Sequence, residues 1–245
     1  MTTISAERET LAINGGRPVR NTFLPYGHQS IEEEDIQAVV DVLRSDWLTT
    51  GPKVAEFEET FAERVGAKFA VSFSSGTAAL HGAAFAAGLT SSDEAITTPM
   101  TFAATANCIV YQGATPIFAD VASDTLNIDP EQVAHRITSK TKAIIPVDYA
   151  GHPADLYVIL QLAESRGLAV IEDACHALGA CYRGRPTGSC AHMTVFSFHP
   201  VKHLTTGEGG MVTTDNPGFA ETLRRFRNHG ISSDARQRHQ EGQWY

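Results

Sequence analysis

The 245-residue sequence lacks a long apolar run, a low-complexity tract and any excess of positive charge. No apolar segment approaches the length of a membrane-spanning helix, and residues 1–11 lack the apolar stretch of a signal peptide. Lys and Arg number 19 against 28 Asp and Glu, whereas a duplex-binding protein usually carries clustered basic residues. The composition is 42% hydrophobic, which excludes disorder. We therefore expect a cytoplasmic protein that binds neither membrane nor nucleic acid.

Cysteine is scarce, and the spacing of the four cysteines contains no Cys-x-x-Cys pair. A disulfide framework is not expected in a chain of this length without a secretion signal. Zinc binding is an alternative, because four histidines lie near three of the cysteines, namely His176, His192, His199 and His203. The ligand pairs of structural zinc sites are absent, so the sequence favours small buried thiols and no metal site.

Strand-like and helical segments alternate through most of the chain. Ser30 and Glu33 form a predicted capping box before a helix, and a second helix is predicted over 54–65. The next predicted strands are 69–73, 95–98, 115–119, 143–147 and 168–172. The helices between them are predicted over 77–87, 102–112, 130–137 and 156–166. This alternation predicts an α/β domain with parallel strands and right-handed crossovers.

The pattern changes after residue 173. Two strands, over 193–198 and 211–214, follow one another with no helix between them, and a last helix is predicted over 217–228. No internal repeat and no linker separates these elements from the preceding ones, so we expect one α/β domain.

Ligands of open α/β sheets bind beyond the carboxyl ends of the strands, so the residues after each strand are candidates for a site. Gly76 and Thr77 open the helix after the first of these strands, where free amides suit a phosphate. A tight turn with a serine cap is the alternative. Phe102 follows the next strand and can either stack on a flat ring or fill the core.

Two later strands are also followed by polar side chains. Asp173 comes directly after the strand over 168–172, where it could hold a protonated ring nitrogen or serve as a helix cap. Ser197 lies near the end of the strand over 193–198, and Lys202 follows that strand, before a glycine-rich segment. A lysine at such a position can react with an aldehyde, although most single lysines lie on the surface.

Together these residues supply what pyridoxal 5′-phosphate (PLP) requires. Lys202 would hold the aldehyde of the cofactor, and Asp173 would keep the pyridine nitrogen protonated. Ser197 and the amides of Gly76 and Thr77 would bind the phosphate. Each signal is weak alone, and their combination favours a PLP site.

Six segments closely resemble the DegT-type sugar aminotransferases, which are PLP enzymes of fold type I that aminate keto sugars carried on nucleotides. These segments are 12–20, 45–58, 74–80, 98–107, 171–180 and 196–210. The resemblance implies a PLP-binding large domain over 1–245, with an N-terminal arm over about 1–30. It also implies a mostly parallel sheet sandwiched between helices.

The same resemblance implies a role for each candidate residue. Lys202 is the catalytic lysine, Asp173 pairs with the ring nitrogen, and Phe102 stacks on the ring. His176 lies near the ring hydroxyl, while the phosphate is bound by Gly76, Thr77 and Ser197. Some relatives carry histidine in place of the lysine and act as dehydratases, so Lys202 predicts transamination.

Segments 24–37, 47–54 and 196–210 resemble in particular the branch that makes UDP-4-amino-4,6-dideoxy-N-acetyl-β-L-altrosamine for pseudaminic acid. The resemblance thus predicts transfer of an amino group from glutamate to a nucleotide-linked 4-keto-6-deoxy sugar. It also predicts a homodimer with PLP at the subunit interface.

The resemblance carries one departure. Members of the family continue into a smaller C-terminal domain with an Asn-Tyr-Arg-like motif, whose asparagine reaches the partner's PLP phosphate. We expect this chain to lack that domain and that contact. The alternative function is therefore a catalytically inactive remnant that folds, dimerises and binds PLP weakly.

Overall fold

A computed structural model describes residues 10–231 of the chain. The chain divides into two units, Met1–Ser30 and Ile31–Tyr245. The described part of the first unit contains one 3₁₀ helix, Ala12–Asn14, and mostly exposed residues. The second unit contains the sheet and all the α-helices described below. The predicted large domain with an arm over about 1–30 stays a prediction.

Helices and strands alternate along the described part of the second unit. The α-helices are α1 (Glu33–Arg44), α2 (Pro52–Val65), α3 (Gly76–Ala86), α4 (Ala104–Tyr111), α5 (Pro130–Arg136), α6 (Leu156–Glu164) and α7 (Pro217–Arg227). The strands are β1 (Phe69–Phe73), β2 (Glu94–Thr97), β3 (Thr115–Phe118), β4 (Thr141–Ile145), β5 (Ala169–Asp173), β6 (Cys181–Tyr182), β7 (Arg185–Pro186), β8 (Met193–Ser197) and β9 (Gly210–Thr214). None of these helices is long and apolar enough to cross a membrane.

Seven of the strands form one sheet in the order β1-β9-β8-β5-β4-β2-β3. The pairings of β3 with β2, β2 with β4, β4 with β5 and β5 with β8 are parallel. Strand β9 is antiparallel to both of its neighbours, β1 and β8. Among the described strands of this sheet, only β9 therefore runs in the reverse direction. The short strands β6 and β7 pair separately as an antiparallel hairpin.

Alternate side chains of the central strands enter separate apolar cores on the two faces of the sheet. Val195 packs in the core formed with α3, α4 and α7, whereas the next residue, Phe196, packs with α2. In the same way, Ile145 packs in the core on the α3 side, whereas Ile144 packs in the core formed with α5 and α6. This follows from the two-residue period of a strand. The mainly parallel sheet between two helical layers confirms the predicted fold class.

The helices and large-sheet strands predicted from residue 54 onward are confirmed to within two residues at each end. Two local predictions are wrong. Helix α1 begins at Glu33, and the amide of Glu32 donates to Asp35 Oδ2 at 2.9 Å, so the cap lies two residues beyond the predicted Ser30–Glu33 box. Helix α4 begins at Ala104, which leaves Phe102 in the preceding turn.

Candidate active site

A cavity of about 450 Å³ lies beyond the carboxyl ends of the parallel strands. Its volume is within the range of small-molecule sites, roughly 300–1,000 Å³. The structure brings all seven candidate residues into its lining, namely Gly76, Thr77, Phe102, Asp173, His176, Ser197 and Lys202. Their proximity is a finding of the fold, while their roles toward a cofactor stay predictions.

The first turn of α3 presents free backbone amides to this cavity. Ser75 caps the helix, because its Oγ accepts from the amide of Ala78 at 3.1 Å and its carbonyl from Ala79 at 3.0 Å. Within residues 10–231, the amides of Gly76 and Thr77 have no acceptor. Free amides at a helix N-terminus bind anions, and phosphate above all.

Two glycines allow β8 and β9 to approach this turn closely. A Cβ at Gly76 would lie 2.8 Å from the Cβ of Ser197 and 3.3 Å from Cys175 Sγ. A Cβ at Gly210 would lie 2.3 Å from the carbonyl oxygen of Ser75. Real Cβ atoms do not tolerate such distances, so both positions require glycine. The close packing places the Ser197 side chain beside the free amides.

Asp173 ends β5 and is held by two donors. Its Oδ2 accepts from the Thr105 hydroxyl at 2.7 Å, and its Oδ1 from the Cys175 amide at 3.2 Å. The Thr105 oxygen also lies 2.6 Å from the Thr101 hydroxyl and 3.2 Å from the carbonyl of Phe102. Because a hydroxyl has one proton, the geometry favours donation from Thr101 to Thr105 and from Thr105 to the carboxylate.

The sequence analysis missed both threonines. Thr101 lies in the turn before α4 and Thr105 in the first turn of that helix, so no single helical spacing links them in the sequence. The acceptor of Thr105, Asp173, lies 68 residues further along the chain, so this hydrogen bond also has no local signal.

Lys202 lies in the turn that follows β8. Its amide donates to the carbonyl of His199 at 2.8 Å. The turn is closed onto β9, because the amide of Phe198 donates to the carbonyl of Gly209 at 2.9 Å. The closed turn keeps Lys202 at the cavity, which Asp173 also lines.

Two other lining residues have shifted acid–base properties. Burial, and then the positive charge of Lys202, lower the pKa of His176 below its ordinary value, so its imidazole is neutral at pH 7. Neutral imidazole can donate with one nitrogen and accept with the other. Burial, and then the charge of Asp173, raise the pKa of Cys175 well above its usual value. Cys175 is therefore a protonated, packed thiol.

The cysteines and histidines form no metal centre in the part of the chain that the structure describes. The four cysteines are free. Between residues 10 and 231, no group of three or more His, Cys, Asp or Glu side chains could hold a metal ion. The zinc alternative therefore has no site among these residues.

The donor set of the cavity fits an aromatic aldehyde that carries a phosphate. The free amides of α3 and the Ser197 hydroxyl suit the phosphate, and the Asp173 carboxylate suits a ring N–H. The Lys202 amine suits the aldehyde. Phe102 is 72% exposed, so its ring face is free to stack on another ring. These properties match PLP.

Comparison with known proteins gives the same assignment. A family model described as the DegT/DnrJ/EryC1/StrS aminotransferase family matches residues 29–243. The uncharacterized protein MJ1066 of Methanocaldococcus jannaschii is 52% identical over 228 residues, which are 93% of this chain and 59% of that protein. Spore coat polysaccharide biosynthesis protein SpsC of Bacillus subtilis is 48% identical over 227 residues, which are 92% of this chain and 58% of that protein.

Solved structures match with the same partial coverage. Helicobacter pylori PseC, an aminotransferase involved in the biosynthesis of pseudoaminic acid, has a TM-score of 0.81 and 37% identity, over 86% of this chain and 57% of PseC. DesI, solved in the presence of its TDP-sugar product, has a TM-score of 0.85 and 40% identity, over 90% of this chain and 57% of DesI. Spr1654 of Streptococcus pneumoniae in its PMP-form has a TM-score of 0.84 and 35% identity, over 91% and 61%.

The chain spans less than two thirds of the length of each of these relatives. The resemblance drawn from the sequence motifs is confirmed, and so is PLP as the cofactor of the family, since Spr1654 was also solved in a PLP-form. By its fold, its motifs and a family match over most of its length, the chain belongs to the DegT/DnrJ/EryC1/StrS aminotransferase family.

Proposed function

We propose that this protein is a PLP-dependent aminotransferase that moves an amino group from glutamate to a nucleotide-linked 4-keto-6-deoxy sugar. The observation that carries the proposal is the convergence of Lys202, Asp173 and the free amides of α3 in one cavity. The names of SpsC and PseC support a role in surface-glycan or pseudaminic acid biosynthesis. The TDP-sugar product of DesI supports a nucleotide sugar as the substrate class.

In this proposal the chain holds PLP at both ends of its ring. The amides of Gly76 and Thr77, together with the Ser197 hydroxyl, bind the phosphate. The Asp173 carboxylate, oriented by Thr105, accepts a hydrogen bond from the ring nitrogen and keeps it protonated. Phe102 covers one face of the ring, and His176 contacts the ring hydroxyl.

When bound, PLP supplies an aldehyde carbon that can take up an amino group and a ring that withdraws electrons. Lys202 Nζ holds the aldehyde between turnovers. Once released, Nζ accepts the proton from the α-carbon of the donor amino acid, and it later returns a proton to the sugar carbon that is aminated. The donor leaves as 2-oxoglutarate.

We also propose that residues 1–245 form a PLP-binding large domain with an N-terminal arm over about 1–30. The protein acts in the cytoplasm as a homodimer whose interface covers the cavity. Phe102 is 72% and Val201 65% exposed, and both line the cavity. Apolar side chains at the mouth of a site are expected to be covered by a partner. Sedimentation equilibrium of the purified chain should give the mass of a dimer, and a monomer at all concentrations would contradict this assembly.

The first experiment is titration of the purified chain with PLP, followed by borohydride reduction and peptide mass mapping. We expect a visible absorbance band and a phosphopyridoxyl group on Lys202. Lys53→Ala is the control and should carry the same group on Lys202, because Lys53 is an exposed lysine on α2 paired with Glu56. A folded chain that carries no phosphopyridoxyl group on Lys202 would contradict the proposal.

The second experiment is a steady-state assay with glutamate and a nucleotide-linked 4-keto-6-deoxy sugar. We expect amination of the sugar, and Lys202→Ala should abolish it. A chain that carries PLP on Lys202 but shows no turnover would instead support the alternative, a non-catalytic protein that folds and retains the cofactor.

A further inference from the structure

Two acidic side chains are fully buried beneath the candidate site and take no part in the proposed chemistry. Glu172 precedes Asp173 in β5, so the two side chains point to opposite faces of the sheet. Asp148 lies three residues after β4, the neighbour of β5. Both Asp148 and Glu172 are 0% exposed, and neither lines the cavity.

Each carboxyl group has one oxygen with a donor and one without. Asp148 Oδ1 accepts from the amide of Ala154 at 2.9 Å, and Glu172 Oε2 accepts from the Thr194 hydroxyl at 2.6 Å. Asp148 Oδ2 and Glu172 Oε1 have no donor within residues 10–231. Two buried carboxylate oxygens without donors carry a large desolvation penalty.

The two carboxyl groups satisfy each other if one of them is protonated. They lie in hydrogen-bonding contact, but two ionised carboxylates offer only acceptors. Burial raises the pKa of both groups, and the negative charge of Glu172 raises that of Asp148 further. The charge of Asp173 also raises the pKa of both groups. The acid pair in turn contributes to the raised pKa of the Cys175 and Cys190 thiols.

We propose that Asp148 and Glu172 share one proton at neutral pH, and that this acid pair positions Asp173 from the face of the sheet opposite the Asp173 side chain. The same two strand ends are already joined by the backbone. The amide of Asp148 donates to the carbonyl of Asp173 at 3.0 Å, and the amide of Asp173 donates to the carbonyl of Pro146 at 2.8 Å.

The acid pair adds a side-chain link beside these two backbone hydrogen bonds. Val147 and Asp173, which both line the cavity, therefore stay in a fixed relative position. Asp148 and Glu172 are positioning residues, because they reach the site only through these neighbours. The effect on cofactor binding rests on the proposed function, whereas the shared proton does not.

The proton itself is tested by isotope-edited infrared spectroscopy of the 245-residue chain without PLP, with the side-chain carboxyl carbons labelled. We expect the band of a protonated carboxylic acid at neutral pH. Glu172→Gln should remove it, because the amide then donates to an ionised Asp148. Glu221→Gln is the matched control on the exposed face of α7 and should leave the band unchanged. Absence of the band from the unsubstituted chain at neutral pH overturns the shared proton without any variant.

The shared proton also predicts a pH dependence of stability. Burial and Glu172 raise the pKa of Asp148 to about 9, so the folded chain holds a proton that the unfolded chain has released. The stability contribution is therefore full below the ordinary carboxyl pKa and is lost as the pH rises toward 9. The urea midpoint should fall over this range in the unsubstituted chain and fall less in Glu172→Gln. Equal slopes in the two proteins contradict the shared proton.

Positioning is tested by PLP affinity, measured by fluorescence titration. Glu172→Gln replaces the shared proton by an amide N–H and should keep the Kd within about twofold, whereas Glu172→Ala leaves Asp148 unpaired and should raise it about tenfold. If Glu172→Ala does not fold, Thr194→Val removes a donor to the pair but keeps both carboxyl groups, and it should raise the Kd at least about threefold. Unchanged affinity in a folded Glu172→Ala or Thr194→Val variant overturns positioning. If even the unsubstituted chain binds no PLP, the proposed function fails. The infrared result still tests whether Asp148 and Glu172 share a proton.

Discussion

The Thr105 hydroxyl donates a hydrogen bond to Asp173 Oδ2 at 2.7 Å. It joins helix α4, which follows β2, to the end of β5, two strands away in the sheet. Thr105 is fully buried, and Asp173 is 5% exposed. A hydrogen bond to a buried charged group is worth about 1.5–3 kcal/mol, more than a typical neutral one. This bond therefore sets the direction of the carboxylate that we propose holds the cofactor ring.

Substitution of Thr105 tests that bond. Thr105→Val keeps the shape of the side chain but removes the donor, so the PLP Kd should rise about tenfold or more. Thr105→Ser keeps the hydroxyl and should stay within about threefold of the unsubstituted chain. Fluorescence titration with PLP measures both values. Equal affinities of the valine and serine variants would contradict a role of the Thr105 hydroxyl in orienting Asp173.

Gly76→Ala tests the close contact at the N-terminus of α3. The new Cβ would lie 2.8 Å from the Cβ of Ser197, so β8 and the helix must separate. We expect a loss of PLP affinity of at least about tenfold, because the phosphate donors are displaced. Gly27→Ala is the control, since a Cβ there meets no atom within 4 Å. A Gly76→Ala chain with unchanged affinity would show that the amides are not phosphate donors.

Two arginines of α7 should differ in their contribution to stability. Arg227 Nη1 donates to Glu58 Oε1, and to the carbonyl and hydroxyl of Ser72 at 3.1 and 2.9 Å. Glu58 is buried, so Arg227→Met should lower the free energy of unfolding by about 1–3 kcal/mol. Arg225 pairs with the exposed Glu221, so Arg225→Met should cost less than about 0.5 kcal/mol. Urea unfolding measures both, and equal losses would contradict the network.

His176 should contribute to the acid sensitivity of the fold. Burial and the charge of Lys202 lower its pKa in the folded state, so the unfolded chain binds a proton more readily. The folded chain therefore loses stability as the pH falls through the ordinary histidine pKa, about 6.5. Relative to its value at pH 7.5, the urea midpoint at pH 5.5 should be higher in His176→Gln than in the unsubstituted chain, on top of the opposite pH dependence that the acid pair contributes. His135→Gln, at an exposed position of α5, should show no such change.

Local patterns predicted most of the fold because each depends on residues near in sequence. The apolar run Phe69–Phe73 and the Asp129-Pro130 start of α5 are local signals that predict their elements without reference to distant residues. The capping box of α1 was placed wrongly, because Ser30 and Asp35 are both competent capping residues. Which carboxylate reaches which amide depends on how the chain enters the helix.

The sequence by itself determined the α/β order of the elements and seven of the residues that line the cavity, since these follow strand ends in a sheet of parallel strands. Only the tertiary structure decided that β9 runs against its neighbours and that Thr105 orients Asp173. It also decided that Asp148 and Glu172 meet in the core. Hydrogen bonds between residues more than twenty positions apart have no local sequence signal, because they form only when elements that are distant in sequence pack together.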